Sequence, residues 1–382
     1  MLVRRFQAED AAAIARLNAR LSAKGARFLV YSEGVEQDRS RPITDRLYVS
    51  VDGEEIRGAV WLQEYPVRVG DRDVIMGSPK YLVAESLFDS RYVAVPRRLL
   101  IHCSQLQPLL IGLGYGGHGS SMARMLAAMR WEGQTVPFFF RIVSAGRVLR
   151  ELAPIRSTAA RRRVADAVRV TGLPDLVVSL MSGAGALRAP RLGREIRVDE
   201  VAQFGPWADD TWDRSARRYG FLTVRNHAML CTLFPGTMPD ITRLRVTRSG
   251  SDVGWAVVLL HDFAPEPDRR FGRLHVGMLA DVLADPEDAR IIVGAATEWL
   301  IAHGAEIIIT NQSHVAWIAA LRRAAFFEGP VNYASYRSPP VEQLLEASDL
   351  RGRGMHFTRG EGDGPIWYPL RPKDDAGTVR RR

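Results

Sequence analysis

The sequence predicts an α/β protein of the α+β kind. Two similar units are expected, each a mixed, mainly antiparallel twisted sheet flanked by helices. Three observations lead there. The 382 residues are more than one hydrophobic core organises. Short period-two runs joined by Gly and Asp turns alternate with runs at helical spacing. The order of those runs in the first half recurs in the second.

In the first half, residues 2–6 read as a strand and Ala8–Ala23 as an amphipathic helix, its apolar Ala11, Ile14, Leu17 and Leu21 at helical spacing. Leu47–Val51 and Ile56–Leu62 flank the turn Asp52-Gly53. Tyr65–Val69 and Val74–Met76 make a second hairpin around Gly70, and Tyr81–Glu85 is a further strand. Val95–Gln105 reads as a helix, Pro108–Ile111 as a buried strand, Ser120–Arg130 as a helix and Val136–Ile142 as the closing strand.

The second half repeats the series. Glu195–Val198 is a strand, Ala208–Tyr219 and Val224–Phe234 are helical, and Arg243–Val246 pairs with Gly254–His261 around Ser249-Gly250-Ser251. Leu274–Leu279, the helix Pro286–Ala302, the buried strand Glu306–Thr310, the helix Val315–Ala325 and the strand Val331–Tyr336 follow. The texture around Met129-Arg-Trp-Glu-Gly returns around Ala325-Phe-Phe-Glu-Gly, so an internal duplication is the economical reading. The expected division is residues 1–146, a helical connector 147–194, residues 195–370, and a disordered basic tail 371–382.

Composition narrows the function. Hydrophobic residues at 46% and charged residues at 25% exclude a disordered chain, a fibre and a disulfide-stapled miniature. The longest apolar stretches, such as Trp255–Leu260, are too short to span a bilayer, and the first residues lack an apolar core of signal-peptide length. A cytoplasmic protein is expected. Cys103 and Cys231 read as free thiols, and the eight histidines form no zinc signature, so no metal is expected. The net charge of +9 comes almost wholly from arginine, with Lys24, Lys80 and Lys373 the only lysines, a skew typical of a GC-rich genome. The basic residues form no stripe with interleaved aromatics, which argues against a nucleic-acid groove. Arginine does suit anionic ligands such as phosphorylated cofactors.

The doubled order of strands and helices resembles the GNAT acyltransferase fold, and two copies in one chain resemble tandem GNAT and Fem-type proteins. The texture is similar to bacterial acyltransferase-like proteins of envelope or exopolysaccharide gene clusters. It is carried by Gln107-Pro-Leu-Leu-Ile-Gly-Leu-Gly-Tyr-Gly-Gly, Thr310-Asn-Gln-Ser-His and His356-Phe-Thr-Arg-Gly-Glu-Gly-Asp-Gly-Pro. The resemblance implies an acyl group carried from acetyl-CoA or another acyl-CoA to an amine on a small molecule, sugar or envelope precursor. In that family the pyrophosphate sits on a glycine-rich loop after the fourth strand. The corresponding junctions, Ser86–Pro96 and Ala280–Glu287, lack the glycine run. The second is acidic, whereas the first offers Arg91, Arg97 and Arg98, so Arg97 and Arg98 are the expected donor contacts.

The resemblance also implies roles for single residues. Glu85 and Asp281, at the ends of the fourth strands, stand where a base accepts the amine proton, and a plain surface carboxylate is the alternative. Tyr115 would protonate the departing thiolate, and Asn311 would bind the pantetheine amide. Gly112 and Gly114 would lie beside the pantetheine arm, or else serve a tight strand-to-helix turn. His314 would act as general base, or the segment Asn311–His314 would cap the next helix. His356, Arg359 and Asp363, a histidine and charges among glycines, are expected to bind substrate, with a solvated turn as the alternative. Two other functions compete: a GNAT-shaped protein that binds without chemistry, and a nucleotide- or S-adenosylmethionine-dependent enzyme built on the glycines Gly112–Gly119.

Overall fold

The computed structural model describes residues 1–26, 28–32, 42–114, 120–152, 193–238, 240–265, 267–268, 270–330, 333–348, 350 and 352–361. The chain divides into two compact units. One is drawn from Met1–Thr135 and Ala334–Leu350, the other from Val136–Tyr333 and the described part of Arg351–Ile366. Most of the expected connector 147–194 and all of the expected tail 371–382 lie outside the described residues.

In the first unit, β1 (Leu2–Arg5), β2 (Thr44–Asp52), β3 (Glu55–Val69) and β4 (Arg72–Ala84) form an antiparallel sheet in that order. On one face α1 (Ala11–Ala23) buries Ile14, Leu17 and Leu21 against Leu47, Ala59 and Trp61. On the other, α2 (Val95–Leu106) and α3 (Ser121–Ala128) bury Leu99, Leu100 and Leu126 against Val60, Leu62 and Ala84. Successive residues of β3 thus enter opposite cores, as a period of two demands. A small second sheet holds β5 (Ile111–Leu113) and β6 (Glu132–Thr135) on either side of β15 (Ala334–Arg337), which leads into α9 (Pro339–Glu346).

The second unit contains β7 (Phe138–Ile142), α4 (Ala145–Glu151), β8 (Ile196–Val201), α5 (Trp207–Ser215), β9 (Phe221–Thr223) and α6 (His227–Leu233). It continues with β10 (Ile241–Arg248), β11 (Ser251–Asp262), β12 (His275–Ala284), α7 (Ala289–Ala302), β13 (Ile307–Asn311), α8 (Val315–Arg323), β14 (Phe327–Glu328) and β16 (Met355–His356). Its large sheet runs β14-β7-β13-β12-β11-β10-β8, and β9 pairs in parallel with β16. Both units are sheets flanked by helices, mainly antiparallel, as the sequence predicts.

Several details depart from a reading made element by element: Val74–Met76 and Tyr81–Ala84 lie on the single strand β4, and Phe221–Thr223 is a strand, β9. Ile56–Leu62 and Tyr65–Val69 are one strand, β3, because the intervening polar residues find partners on β2. Gln63 donates to Asp45 at 2.9 Å, and Glu64 pairs with Arg46. The closing strands are also exchanged. β7 lies beside β13 in the second unit, and β15 lies between β5 and β6 in the first. Alternation marks a segment as a strand but carries no information about its partner.

Candidate active site

Each unit contains a pair of parallel strands that meet and then part. In the second unit β12 and β13 pair only at Val276–Met278 against Ile307–Ile309. Beyond that, β12 continues to Ala284 along β11, and β13 to Asn311 along β7. The register of β12 against β11 shifts at Val257/Val258, opposite Leu279–Asp281. In the first unit the meeting is a single parallel bridge, Gly77 with Leu110, supported by the Gly77 N–H donating to Leu109 O at 2.8 Å. β4 then continues on β3 through a register shift between Ala59 and Trp61, where Tyr81 takes a φ of 46°. An extra residue in one strand bends it away from its neighbour and leaves backbone groups outside the ladder.

The two openings differ in charge. α2 begins just after the first one, with Pro96 in its first turn, no acidic residue there, and Arg97 and Arg98 exposed to solvent. Its orphan N–H groups and both guanidinium groups favour an anion. α7 follows the second opening through a turn of 3-10 helix, Pro286–Asp288, whose carboxylates are matched by arginines. Asp285 faces Arg214 at 3.5 Å, Asp288 faces Arg248 at 2.6 Å, and Glu287 pairs with Arg218.

In the first unit Glu85 ends β4 within a buried ion pair. It accepts from Arg20 and, at 2.9 Å, from Arg57. Arg20 also reaches Glu55 at 2.6 Å, and Arg57 lies over the ring of Tyr92 at 4.7 Å. Gly112 pairs with Tyr336 in the small sheet. Gly114 has a φ of 78° and donates to Ala334 O at 3.2 Å, the left-handed turn residue that the strand exit requires. Tyr115 and Gly116–Gly119 lie outside the described residues. Ser78, next to the Gly77 bridge, has a buried hydroxyl without a partner. Lys80 is buried two residues further along the same strand.

The second unit gathers Asp281, Asn311, His314, His356 and Arg359 around the parted ends of β12 and β13. The segment Met355–Glu361 lies there. Thr358 bridges antiparallel to Gln312, and the Ser313 N–H donates to Phe357 O at 3.1 Å. On the β12 side, His356 Nε2 donates to Val282 O at 2.9 Å, and Thr358 Oγ1 donates to Asp281 Oδ1 at 2.9 Å. Arg225 completes the charge balance, 3.0 Å from Asp281 and 3.1 Å from Glu361, with side-chain exposures of 5%, 1% and 3% for Arg225, Asp281 and Glu361. Burial raises the Glu361 carboxyl above its usual range, opposed by the Arg225 charge.

Asn311 donates to Val136 O and Pro137 O and accepts from Arg359 at 2.6 Å. His314 is the N-cap of α8, its Nδ1 accepting the Ala316 N–H at 3.3 Å. Burial holds both His314 and His356 down to about 4, with the nearby His356 adding to the effect on His314, so both rings are neutral at pH 7. Asp363 lies outside the described residues. Sequence reasoning passed over Arg225, Thr358 and Ser78. A lone arginine between Phe221-Leu-Thr-Val and a run of apolar helix positions was the available signal for a buried ion pair.

Among the described residues no cluster of histidine, cysteine and carboxylate groups stands where it could hold a metal ion, and no helix is long and apolar enough to cross a membrane. Cys103 is buried, its thiol pushed up to about 12, and Cys231 is half-buried.

No family model matches the sequence, and no curated protein matches it. Solved structures do match in fold. A conserved protein of Enterococcus faecalis V583 described as a probable N-acyltransferase superposes with a TM-score of 0.52 at 10% identity, covering 90% of this chain and 74% of its own. A GCN5-related N-acetyltransferase from Anabaena variabilis superposes with a TM-score of 0.51 at 10% identity, covering 87% and 72%. With the parted strand pair present in both units, the fold of this chain is that of the GNAT N-acyltransferases, carried in tandem.

Proposed function

We propose that this protein is an N-acyltransferase that takes an acyl group from acetyl-CoA or another acyl-CoA and passes it to an amine on a small molecule, sugar or envelope precursor. The donor is held by the first unit. The observation that carries this reading is the combination there of a parting strand pair with a helix start bearing Arg97 and Arg98 and no carboxylate in its first turn. Those groups suit the pyrophosphate and ribose phosphate of coenzyme A.

The chemistry asks little of the protein beyond placement. The amine nitrogen attacks the thioester carbonyl carbon, the C–S bond breaks, and the amine proton ends on the thiolate sulfur. A backbone N–H at the register shift beside Tyr81 would stabilise the oxyanion. Glu85 is committed to Arg20 and Arg57, so water at the opening is the better carrier of the amine proton. A bacterial, cytoplasmic setting goes with this reading.

Calorimetric titration with acetyl-, longer acyl- and free coenzyme A tests it. Saturable binding that Arg97→Glu/Arg98→Glu weakens at least tenfold supports the proposal. Absence of binding to all three overturns it in favour of a protein that recognises a partner without chemistry.

A further inference from the structure

We infer that the second unit's opening is permanently filled by the chain's own segment Met355–Glu361, so the protein binds one acyl-CoA per chain and the second unit is a structural partner in the reaction. This rests on the donor reading given above for the first unit.

The segment occupies the gap between β12 and β13 and takes up the groups that line it. On β12 the carbonyl of Val282 accepts from His356, and the Asp281 carboxylate accepts from the Thr358 hydroxyl at 2.9 Å. On the β13 side the Ser313 N–H and hydroxyl are bound to the segment's backbone. The hydroxyl donates to Met355 O at 2.8 Å and accepts the Phe357 N–H at 2.7 Å. A pantetheine arm could hydrogen-bond to these edges only by displacing the segment.

Displacement is opposed by three features. The first is the close approach of Gly360 to β12, where a Cβ would lie 3.1 Å from Ala280 O. This leaves no room for a second chain of atoms beside that carbonyl. The second is charge. Glu361 balances Arg225 inside the unit, and withdrawing the segment would take Glu361 from Arg225 and the Thr358 hydroxyl from Asp281, leaving two buried charges each with one partner fewer. The third is aromatic packing. His356 stacks on Tyr219 at 4.9 Å and on Trp317 at 5.6 Å, and Trp317 donates its indole N–H to the Tyr219 hydroxyl at 3.0 Å.

Hydrogen exchange on the intact chain, with and without saturating acetyl-CoA, tests the inference together with the calorimetric stoichiometry. The expected result is that the amides of Phe357, Thr358 and Glu361 exchange as slowly as those of β12 in both conditions. Stoichiometry should be one, and added protection should fall on 77–98. Two thioesters per chain, ligand protection on 279–284, or faster exchange of 355–361 when thioester is added would each overturn it. If no thioester binds, the donor reading fails, while the protection of Met355–Glu361 in the free protein still decides whether the gap is filled.

Discussion

Gly254 faces Ala284 across the β11–β12 ladder so closely that a Cβ on residue 254 would lie 2.7 Å from the Cβ of Ala284 and would also collide with Leu283 O. The first unit repeats the relationship. Gly58 faces Ala84 across β3–β4, with the imagined Cβ 2.9 Å from that of Ala84 and 2.7 Å from Val95. In both cases the pair sits at the end of the strand that has just parted from its parallel neighbour. The next helix in each unit follows, α2 after two turns of 3-10 helix and α7 after one. The two units thus share this contact at the same step of the topology.

These glycines are therefore packing residues, and neither φ value is positive. Gly254→Ala and Gly58→Ala should each lower stability by about 1–3 kcal/mol, the usual range for overpacking a closed interior. The midpoint of urea unfolding should fall in both variants with the slope unchanged. An unchanged midpoint would mean the strands spread apart freely.

The helices α3 and α8 stop by a shared device. Arg130 at φ 61° and Ala325 at φ 59° take the left-handed conformation, and the following Trp131 and Phe326 N–H groups return to Leu126 O and Leu321 O, each at 3.0 Å. A side chain is costly there, by about 1 kcal/mol for an L residue. Ala325→Gly should accordingly raise stability by about 0.5–1 kcal/mol, although glycine normally weakens a helix. A rise in thermal midpoint checks it, and a fall would show that the conformation is held without strain.

This stop also shows what was legible in the sequence. The recurrence of an aromatic-Glu-Gly string after each helix signalled a duplication, but the cap geometry aligns Arg130 with Ala325, which puts the two Glu-Gly pairs one residue out of step. Hairpins and helices were readable because burial imposes periods of two and 3.6 on local sequence. The exchange of β7 and β15 was not, because Phe138–Ile142 and Ala334–Arg337 meet partners far away in the chain. Asp281 and Asn311 were singled out by their position in the resembled fold, and His314, His356 and Arg359 by their local sequence; all five lie around the parted ends of β12 and β13. Their partner Arg225 was not, since a buried arginine reads locally as an interruption of an apolar run.

Glu85 tests the difference between an ion pair and a base. Its carboxylate bridges Arg20 and Arg57 with little exposure, so Glu85→Gln removes a charge that two guanidinium groups face. Stability should fall by roughly 2–3 kcal/mol, toward the low end for breaking a buried pair because both arginines keep some access to solvent. Turnover at saturating thioester should change less than threefold with an unaltered pH profile. A hundredfold loss of turnover at an unchanged unfolding midpoint would instead make Glu85 the proton acceptor.

His356 gives the chain a specific sensitivity to acid. Its Nε2–H is bound to Val282 O, its Nδ1 is buried without a partner, and burial holds the ring's pKa down to about 4. In the unfolded chain the same ring titrates near 6.5. Above that value both states are neutral and pH has no effect through this residue. Below it the unfolded state binds the proton first, so stability falls as pH falls, by about 1.4 kcal/mol per unit until the folded-state value is reached. Between pH 7 and pH 5 the loss through His356 is about 2 kcal/mol. Glu361, raised by burial, acts in the opposite direction, and His314 acts in the same one, so the comparison must be with a variant that keeps both. In His356→Gln the amide can keep the bond to Val282 without titrating. The difference in unfolding free energy between pH 7 and pH 5 should therefore be about 2 kcal/mol smaller in the variant than in the parent. Parallel pH profiles for the two proteins would show that the ring reaches water and that the packing of Met355–Glu361 between β12 and β13 is loose.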